Sequence, residues 1–419
     1  MSMPSLINIL PAVARKAPET PEEVAAVLAE ARRLDRRVVV FSTGHGIPPI
    51  GDTSDRILMD ISAFDQVEID PAARIARIGG AVQWRELIEA AGEHGLTAPF
   101  GSAASVGVTG YMMGGGIGFM SRHLGLGCSS IRAAQLVTPD GQYRRIDSGS
   151  DPDLFWALRG GGGGFGVITS LEVNLTPVPQ MAGGVLAWGI EDAERVLTVW
   201  SEWSRQAPED VTTAVRLVQP PEGPALAVVV ATAPRPAGQL SADLGPLISL
   251  NPMLNTISNT DPAAFLNEYT DPEIDTTEPP HAFEHVLLDT VTPQAAQLAA
   301  EFGQPATGCG AIMVEIRHLG GALARPAPGG GAMDRIEGEY SLFLMGPPEA
   351  AEKMAHAADV LSDFGRGRTY LNFMQRRTGR QTAYPEETIG RLADLYEAVD
   401  PEGLLDHPHP IVRRSRLAV

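Results

Sequence analysis

The residues best suited to chemistry lie in three glycine-rich turns in the first part of the chain. They are Ser42-Thr43-Gly44-His45-Gly46, the stretch from Gly101 to Gly118, and the stretch from Gly160 to Gly166. Glycine permits positive φ and close backbone approach. Successive backbone N–H groups in such turns can cradle phosphate oxygens. One reading is therefore a phosphate-bearing ligand bound along the backbone; the other is a set of tight corners with no ligand. On its own residues, His45 reads as a turn histidine that caps a backbone carbonyl. Better-known phosphate motifs are missing. No Gly-x-x-x-x-Gly-Lys-Ser/Thr occurs, and no Gly-x-Gly-x-x-Gly follows the first strand with an acidic residue about 20 positions later. Cys128 and Cys309 have no metal-ligand spacing and form no disulfide framework, so both read as buried thiols. His407 and His409 have no third ligand in view, so they read as surface histidines and no metal site is expected.

The elements that position these turns follow from periodicity. Thr20-Pro21-Glu22-Glu23 is a helix start with a capping box, and Val24, Val27, Leu28, Ala31 and Leu34 then recur at helical spacing. Arg37–Phe41 is a β-branched run typical of a buried strand, and it leads straight into the His45 turn. Ile57–Ile61, Gln66–Ile69 and Arg74–Ile78 read as short strands, and Val82–His94 as a helix closed by Gly95. Strand-like runs at Ala134–Thr138 and Val167–Val173 flank the later glycine stretches. Pro177-Val178-Pro179 marks a composition shift. Beyond it, strands at Ala225–Ala231 and Ala311–Arg317 alternate with helical stretches such as Glu349–Phe364. Ala324–Ala332 reads as a loop and Glu386–Val399 as a last helix.

The totals set bounds on class. A chain of 419 residues suggests two or three domains at ~100–200 residues each. With 44% hydrophobic and 20% charged residues the composition is that of a globular protein. A net charge of −19 repels phosphate backbones and anionic lipids, which argues against nucleic-acid and membrane partners. No apolar run approaches the ~20 residues of a membrane span, and the N-terminus lacks a signal-peptide pattern. A cytoplasmic protein is the expectation.

The ordered set of motifs is more specific than any one of them. VVVFSTGHG (38–46), GSAASVGVTGYMMGGGIG (101–118), LVTPDG (136–141), DLFWALRGGGGGFGVIT (153–169), YLNF (370–373) and YEAVDPEGLL (396–405) follow one another along the chain. Together they resemble the vanillyl-alcohol oxidase type of flavoprotein, in particular its berberine-bridge-enzyme-like branch. The resemblance implies an α+β protein. A PCMH-type FAD-binding domain would cover residues 1–178, and a second α+β domain with an antiparallel sheet, the substrate domain, residues 179–365. Residues 366–419 would return to the FAD domain.

The resemblance also implies roles. Phe41, Ser42, Thr43, Gly44, His45 and Gly46 would bind FAD, together with Gly101, Ser102, Ser105, Val106 and Gly107. Gly110, Tyr111, Gly115, Gly118, Gly166, Val167 and Asn372 complete the expected cofactor set. His45 aligns with the histidine that bonds the flavin's 8α carbon, and a neutral imidazole, available near pH 7, can make that bond. Ala103 stands where many relatives carry a second, cysteine tether, so a single covalent link through His45 is expected. Ile117 replaces a tyrosine found in some members, and Phe165 an asparagine found in many. Tyr370 aligns with a catalytic base. A phenol of pKa about 10 would need a nearby cation, and Arg366 and Arg368 are the neighbours of the right type. Asn372 would hydrogen-bond the flavin or order the site. His318 and Arg325 lie in a segment familiar from the family but have no assigned place. The implied activity is oxidation of a small alcohol, sugar, polyketide or amine by hydride transfer to flavin N5, with O₂ as acceptor. A redox-neutral cyclisation in the same pocket is the alternative.

Overall fold

The computed structural model describes residues 10–46, 50–220, 222–269, 281–374 and 380–411. The first helix spans Pro21–Arg33. Thr20 caps it by accepting a hydrogen bond from the Glu23 N–H at 3.2 Å, and Pro21 needs no donor at that position. Glu23 reaches back to the Glu19 N–H at 2.7 Å, one residue earlier than a capping box requires. The helix buries Val24, Val27, Leu28 and Ala31, and each large side chain so buried contributes about 1.5–3 kcal/mol.

That helix packs on a parallel sheet. Arg37–Phe41 pairs with Arg56–Asp60, which in turn pairs with Ala14–Lys16. Leu405–Asp406 joins the other edge, beside Val38 and Val39, so the end of the chain returns to its beginning. Val38 and Val39 point to opposite faces and both are fully buried, which explains the unbroken apolar run. A second, antiparallel sheet orders Val67–Asp70, Ile75–Gly79, Val167–Asn174, Ile131–Val137 and Tyr143–Ile146. The two sheets share a core in which Val24 and Leu28 meet Ile57, Met59, Val137 and Val167.

Among the described residues, the largest sheet lies wholly between Met181 and Gly346 and has eight strands, every pairing antiparallel. At its centre Thr212–Val218 and Tyr340–Gly346 flank Met313–His318, with Ala282–Leu288 beyond Tyr340–Gly346. One face packs Val215, Leu217, Ile316 and Leu342 under the helices Ala193–Ser204, Pro293–Phe302 and Ala351–Ser362. The other face contributes Ala214, Val230 and Leu287 to the core that holds the glycine-rich segments. The protein is α+β, with the antiparallel sheet expected in its second part.

One expectation needs correction. His407 and His409 are not surface residues: both are 7% exposed. Arg380 folds over them, donating to the His409 carbonyl at 2.8 Å and meeting His407 Nδ1 at 3.0 Å. The 324–332 segment is a loop past the short helical turn Gly321–Ala324, as expected. At its end the Ala332 and Met333 N–H groups donate to the Trp156 and Arg159 carbonyls, which seats Met333 against the glycine turns.

Candidate cofactor and active site

The strand Arg37–Phe41 delivers the chain into the Ser42–Gly46 turn, where Gly44 takes φ +84°. Thr43 Oγ1 lies 3.1 Å from His45 Nδ1 and orients the ring. His45 keeps contact with solvent, yet desolvation by its surroundings lowers its pKa, which favours the neutral imidazole. The turn lies beside Gly107, where a methyl group would sit 3.4 Å from Ser42 Oγ. Added methyls at Gly46 and Gly110 would meet little: Pro408 at 4.0 Å for the first, nothing within 4 Å for the second. The backbone at Gly46, next to His45, and at Gly110 is therefore uncrowded.

The segment from Ala104 to Val108 is pinned to the start of the helix Trp84–Gly92. The Trp84 and Arg85 N–H groups donate to the Val106 and Ala104 carbonyls, and Val108 donates to Val82. Gly107 then opens the short helix Val108–Met113. Ser102, Ser105 and Val106 are half-buried along this stretch. Tyr111 is enclosed by glycine. A methyl at Gly101 or Gly127 would press on its ring at 2.8 and 2.9 Å, one at Gly118 would lie 3.1 Å from its hydroxyl, and one at Gly116 would overlap it. Gly115 faces Met333 and Tyr370, and Gly166 faces Leu136 as the chain enters Val167. These glycines thus have a packing reason beside any ligand-binding one.

Four polar atoms in this region are buried without a hydrogen-bond partner: Trp84 Nε1, Thr109 Oγ1, Tyr111 Oη and Ser129 Oγ. Native proteins satisfy most such groups, so a concentration of them next to open backbone fits a bound polar ligand. Burial, reinforced by Tyr370, raises the Tyr111 hydroxyl well above the phenol range. Ser121 Oγ, which takes the Gly118 N–H at 2.7 Å, eases that shift without reaching bonding geometry.

Tyr370 is 1% exposed, and its hydroxyl accepts from the Gly116 N–H at 2.6 Å and from Asn372 Nδ2 at 2.9 Å. The Asn372 amide also donates to the Tyr111 carbonyl at 2.8 Å and fills the space above Gly114. Burial raises the Tyr370 hydroxyl far above its ordinary value, against the opposing pull of the Gly116 and Asn372 donors. The expected arginine helpers lie elsewhere. Arg366 bonds Asp289 at 2.8 Å and Arg368 bonds the Tyr384 carbonyl at 2.8 Å. Behind Tyr370, Phe373 packs on Phe343 at 5.1 Å and on His285 at 5.2 Å.

The remaining sequence candidates fall outside this cluster. His318 lies under the helix-covered face, with its Nε2 3.0 Å from Arg122 and its ring stacked on Tyr340. Arg325 is exposed and pairs with Glu209. Cys128 is buried with its thiol turned to the Met333 carbonyl, and burial pushes its pKa up to about 12. Sequence reading missed His285, Arg216, Glu315, Arg317 and Arg380. The signal for the middle three was alternation: Glu315 and Arg317 stand two apart in an apolar strand and so share a face. Arg380 holds the third glycine turn to the chain end through the Gly161 and Gly163 carbonyls, and burial lowers its pKa to about 10.

Residues 13–147 match the family described as FAD binding domain. The chain is 31% identical over 164 residues to an uncharacterised FAD-linked oxidoreductase of Bacillus subtilis, a match covering 38% of this chain and 36% of that one. It is 36% identical over 152 residues to the (R)-6-hydroxynicotine oxidase of Paenarthrobacter nicotinovorans, covering 36% and 33%. These sequence matches thus span only about a third of the relatives' lengths. In structure, 6-hydroxy-D-nicotine oxidase from Arthrobacter nicotinovorans superposes with a TM-score of 0.82 at 23% identity, over 97% of this chain and 95% of the other. A chitooligosaccharide oxidase gives 0.82 at 16% identity over 96% and 93%, and a berberine-bridge-enzyme-like protein of Physcomitrella patens 0.81 at 18% over 94% and 90%. The named relatives and neighbours include FAD-linked oxidases and oxidoreductases. The chain carries an FAD-binding domain and has, over nearly its whole length, the fold of the berberine-bridge-enzyme-like flavoproteins.

Proposed function

We propose that the protein is an FAD-dependent oxidoreductase that oxidises a small organic molecule, with its flavin bonded through His45 alone and reoxidised by O₂. The carrying observation is the uncrowded backbone at Gly46, next to His45, and at Gly110, together with four unpartnered buried polar atoms, all within the matched FAD-binding domain. Bound FAD would supply the hydride acceptor. The chain supplies the rest. His45, kept neutral by desolvation, offers an imidazole nitrogen to the flavin's 8α carbon. The Ser42–Gly46 turn, the Gly101–Gly107 stretch and Gly110 present backbone to the cofactor. Ala103 leaves no second attachment, and Cys128 is committed to the Met333 carbonyl. Phe343, Phe373 and His285 form an apolar wall that keeps water away. Tyr370 and Asn372 are the catalytic pair of this proposal, because two N–H donors converge on the Tyr370 oxygen, as a phenolate requires.

On this reading residues 1–178 with 366–419 hold the cofactor and residues 179–365 the substrate. The test is anaerobic mixing with a panel of alcohols, hydroxy acids and amines while the flavin absorbance is followed. Bleaching by a substrate, with H₂O₂ formed once air is admitted, is the expected result. Turnover with the flavin still oxidised would instead assign a redox-neutral reaction to the pocket.

A further inference from the structure

The face of the large sheet that turns toward the glycine-rich segments is unusually charged for a buried surface. Arg216 and Glu315 are paired across neighbouring strands, and Arg317 follows Glu315 two positions on, so all three share this face. They are 7%, 2% and 2% exposed. Glu315 answers both arginines: one carboxylate oxygen takes the Arg216 Nε at 2.7 Å, the other takes the Arg317 Nε at 2.9 Å and Nη2 at 2.8 Å. Burial alone would raise the Glu315 pKa, but Arg317 and Arg216 outweigh it and keep it lowered, hence ionised. One carboxylate is thus shared between two guanidinium groups.

Arg317 Nη1 has no hydrogen-bond partner among the described residues. The other deeply buried arginines end on carbonyls. Arg380 reaches those of His409, Gly161 and Gly163, Arg122 those of Val211, Leu319 and Pro208, and Arg159 those of Cys128, Ser129 and Pro328. Arg317 instead lies with its guanidinium 4.5 Å from the centre of the Phe119 ring. That ring cushions one face of the cation. The free in-plane edge is the edge with which arginine binds carboxylates. The charge of Arg317 is felt at the Tyr111 hydroxyl and at His285. Phe119 directly follows Gly118, so the contact with its ring sets Arg317 against the glycine-rich segment, on a face of the sheet within residues 179–365, which the proposed function gives to the substrate. The Tyr111 hydroxyl is itself buried and unpartnered, a second donor waiting for an acceptor. His285 adds no charge: it accepts the Tyr370 N–H at Nδ1 and meets Ser341 Oγ at Nε2, as a neutral ring does.

We infer that the substrate of this site carries a carboxylate, and that Arg317, supported by Arg216 and Glu315, is the residue that selects it. The inference rests on the proposed function for the location of the pocket. An ammonium substrate would bring only donors to the Arg317 Nη1 donor. With an overall charge of −19, the protein has no general attraction for anions, so the preference is local.

The test compares ligands of one shape and different charge. Purified protein is titrated with benzoate and 3-phenylpropionate and with their amides, by calorimetry and by perturbation of the flavin spectrum. Each acid is expected to bind about tenfold or more tighter than its amide, the scale of one hydrogen bond to a charged group. Arg317→Gln should abolish that preference while leaving amide affinity, the ligand-free flavin spectrum and the flavin reduction potential unchanged. Equal binding of acid and amide by the unaltered protein overturns the inference, even if the variant fails to fold. So does an Arg317→Gln protein that keeps the preference. A variant that shifts the flavin potential, in a protein with no acid preference, would assign the free donor to the cofactor instead. Calorimetry reads the acid preference without flavin, so a colourless protein would count against the cofactor reading alone.

Discussion

The Tyr370 hydroxyl carries two opposed influences. Gly116 and Asn372 direct N–H groups at its oxygen, which favours the phenolate, while complete burial favours the neutral phenol more strongly. As a base, Tyr370 therefore needs a proton acceptor chain or a bound ligand to release its proton. Tyr370→Phe is expected to lower turnover about 100-fold or more with flavin content unchanged. Normal turnover would leave Tyr370 the role of holding the Gly116 N–H. The sequence pointed to Tyr370 through its Tyr-x-Asn setting, but it misplaced the helpers. Arg366 and Arg368 are neighbours in the chain only, and their side chains leave for Asp289 and Tyr384. The groups that do reach this space, His285 and Arg317, come from strands 50 to 85 residues earlier, a distance that spacing within a motif does not encode.

At the scale of elements, strand and helix patterns were legible because each is a local property. The run of valines before His45 is buried on both faces, and Thr20 with Pro21 starts its helix as the residue types dictate. The glycine turns were legible as turns, but their purpose was only half so. Gly46 and Gly110 would leave an added methyl uncrowded, as the proposed phosphate cradle needs, and Gly44 is required by its φ of +84°. Gly101, Gly116 and Gly127 are glycine because the Tyr111 ring leaves no room for a methyl group, Gly118 because the Phe100 carbonyl does not, and Gly114 because the Asn372 side chain occupies that volume. Nothing in a single sequence says which side chain will fold onto which glycine. His407 and His409 misled for a similar reason: two histidines with no third ligand in view read as surface residues, and what covers them, Arg380 and Tyr396, is set by the fold.

At the scale of the whole molecule, the large sheet stores buried histidines that set an acid limit. Burial, with Arg317 adding to it, lowers the His285 pKa from 6.5 to about 3, and burial with Arg122 does the same for His318. The unfolded chain takes up these protons near pH 6.5 and the folded chain does not. The stability they protect is thus fully present above pH 6.5 and is lost progressively as pH falls toward 3. Each histidine is expected to remove roughly 2 kcal/mol of unfolding free energy between pH 7.5 and pH 5, above the range where ordinary carboxylates titrate. Urea unfolding at those two pH values measures it, and equal free energies would show that the two imidazoles are not buried as described. No helix among the described residues is long and apolar enough to cross a membrane.

The central claim is the flavin and its single tether. The measurement is a visible spectrum of the purified protein, followed by acid precipitation and spectra of the pellet and the supernatant. The account predicts a yellow protein, a yellow pellet, and a flavin-bearing peptide that contains His45. Flavin released into the supernatant would contradict the bond to His45, and a colourless protein that takes up no added FAD would contradict the claim as a whole.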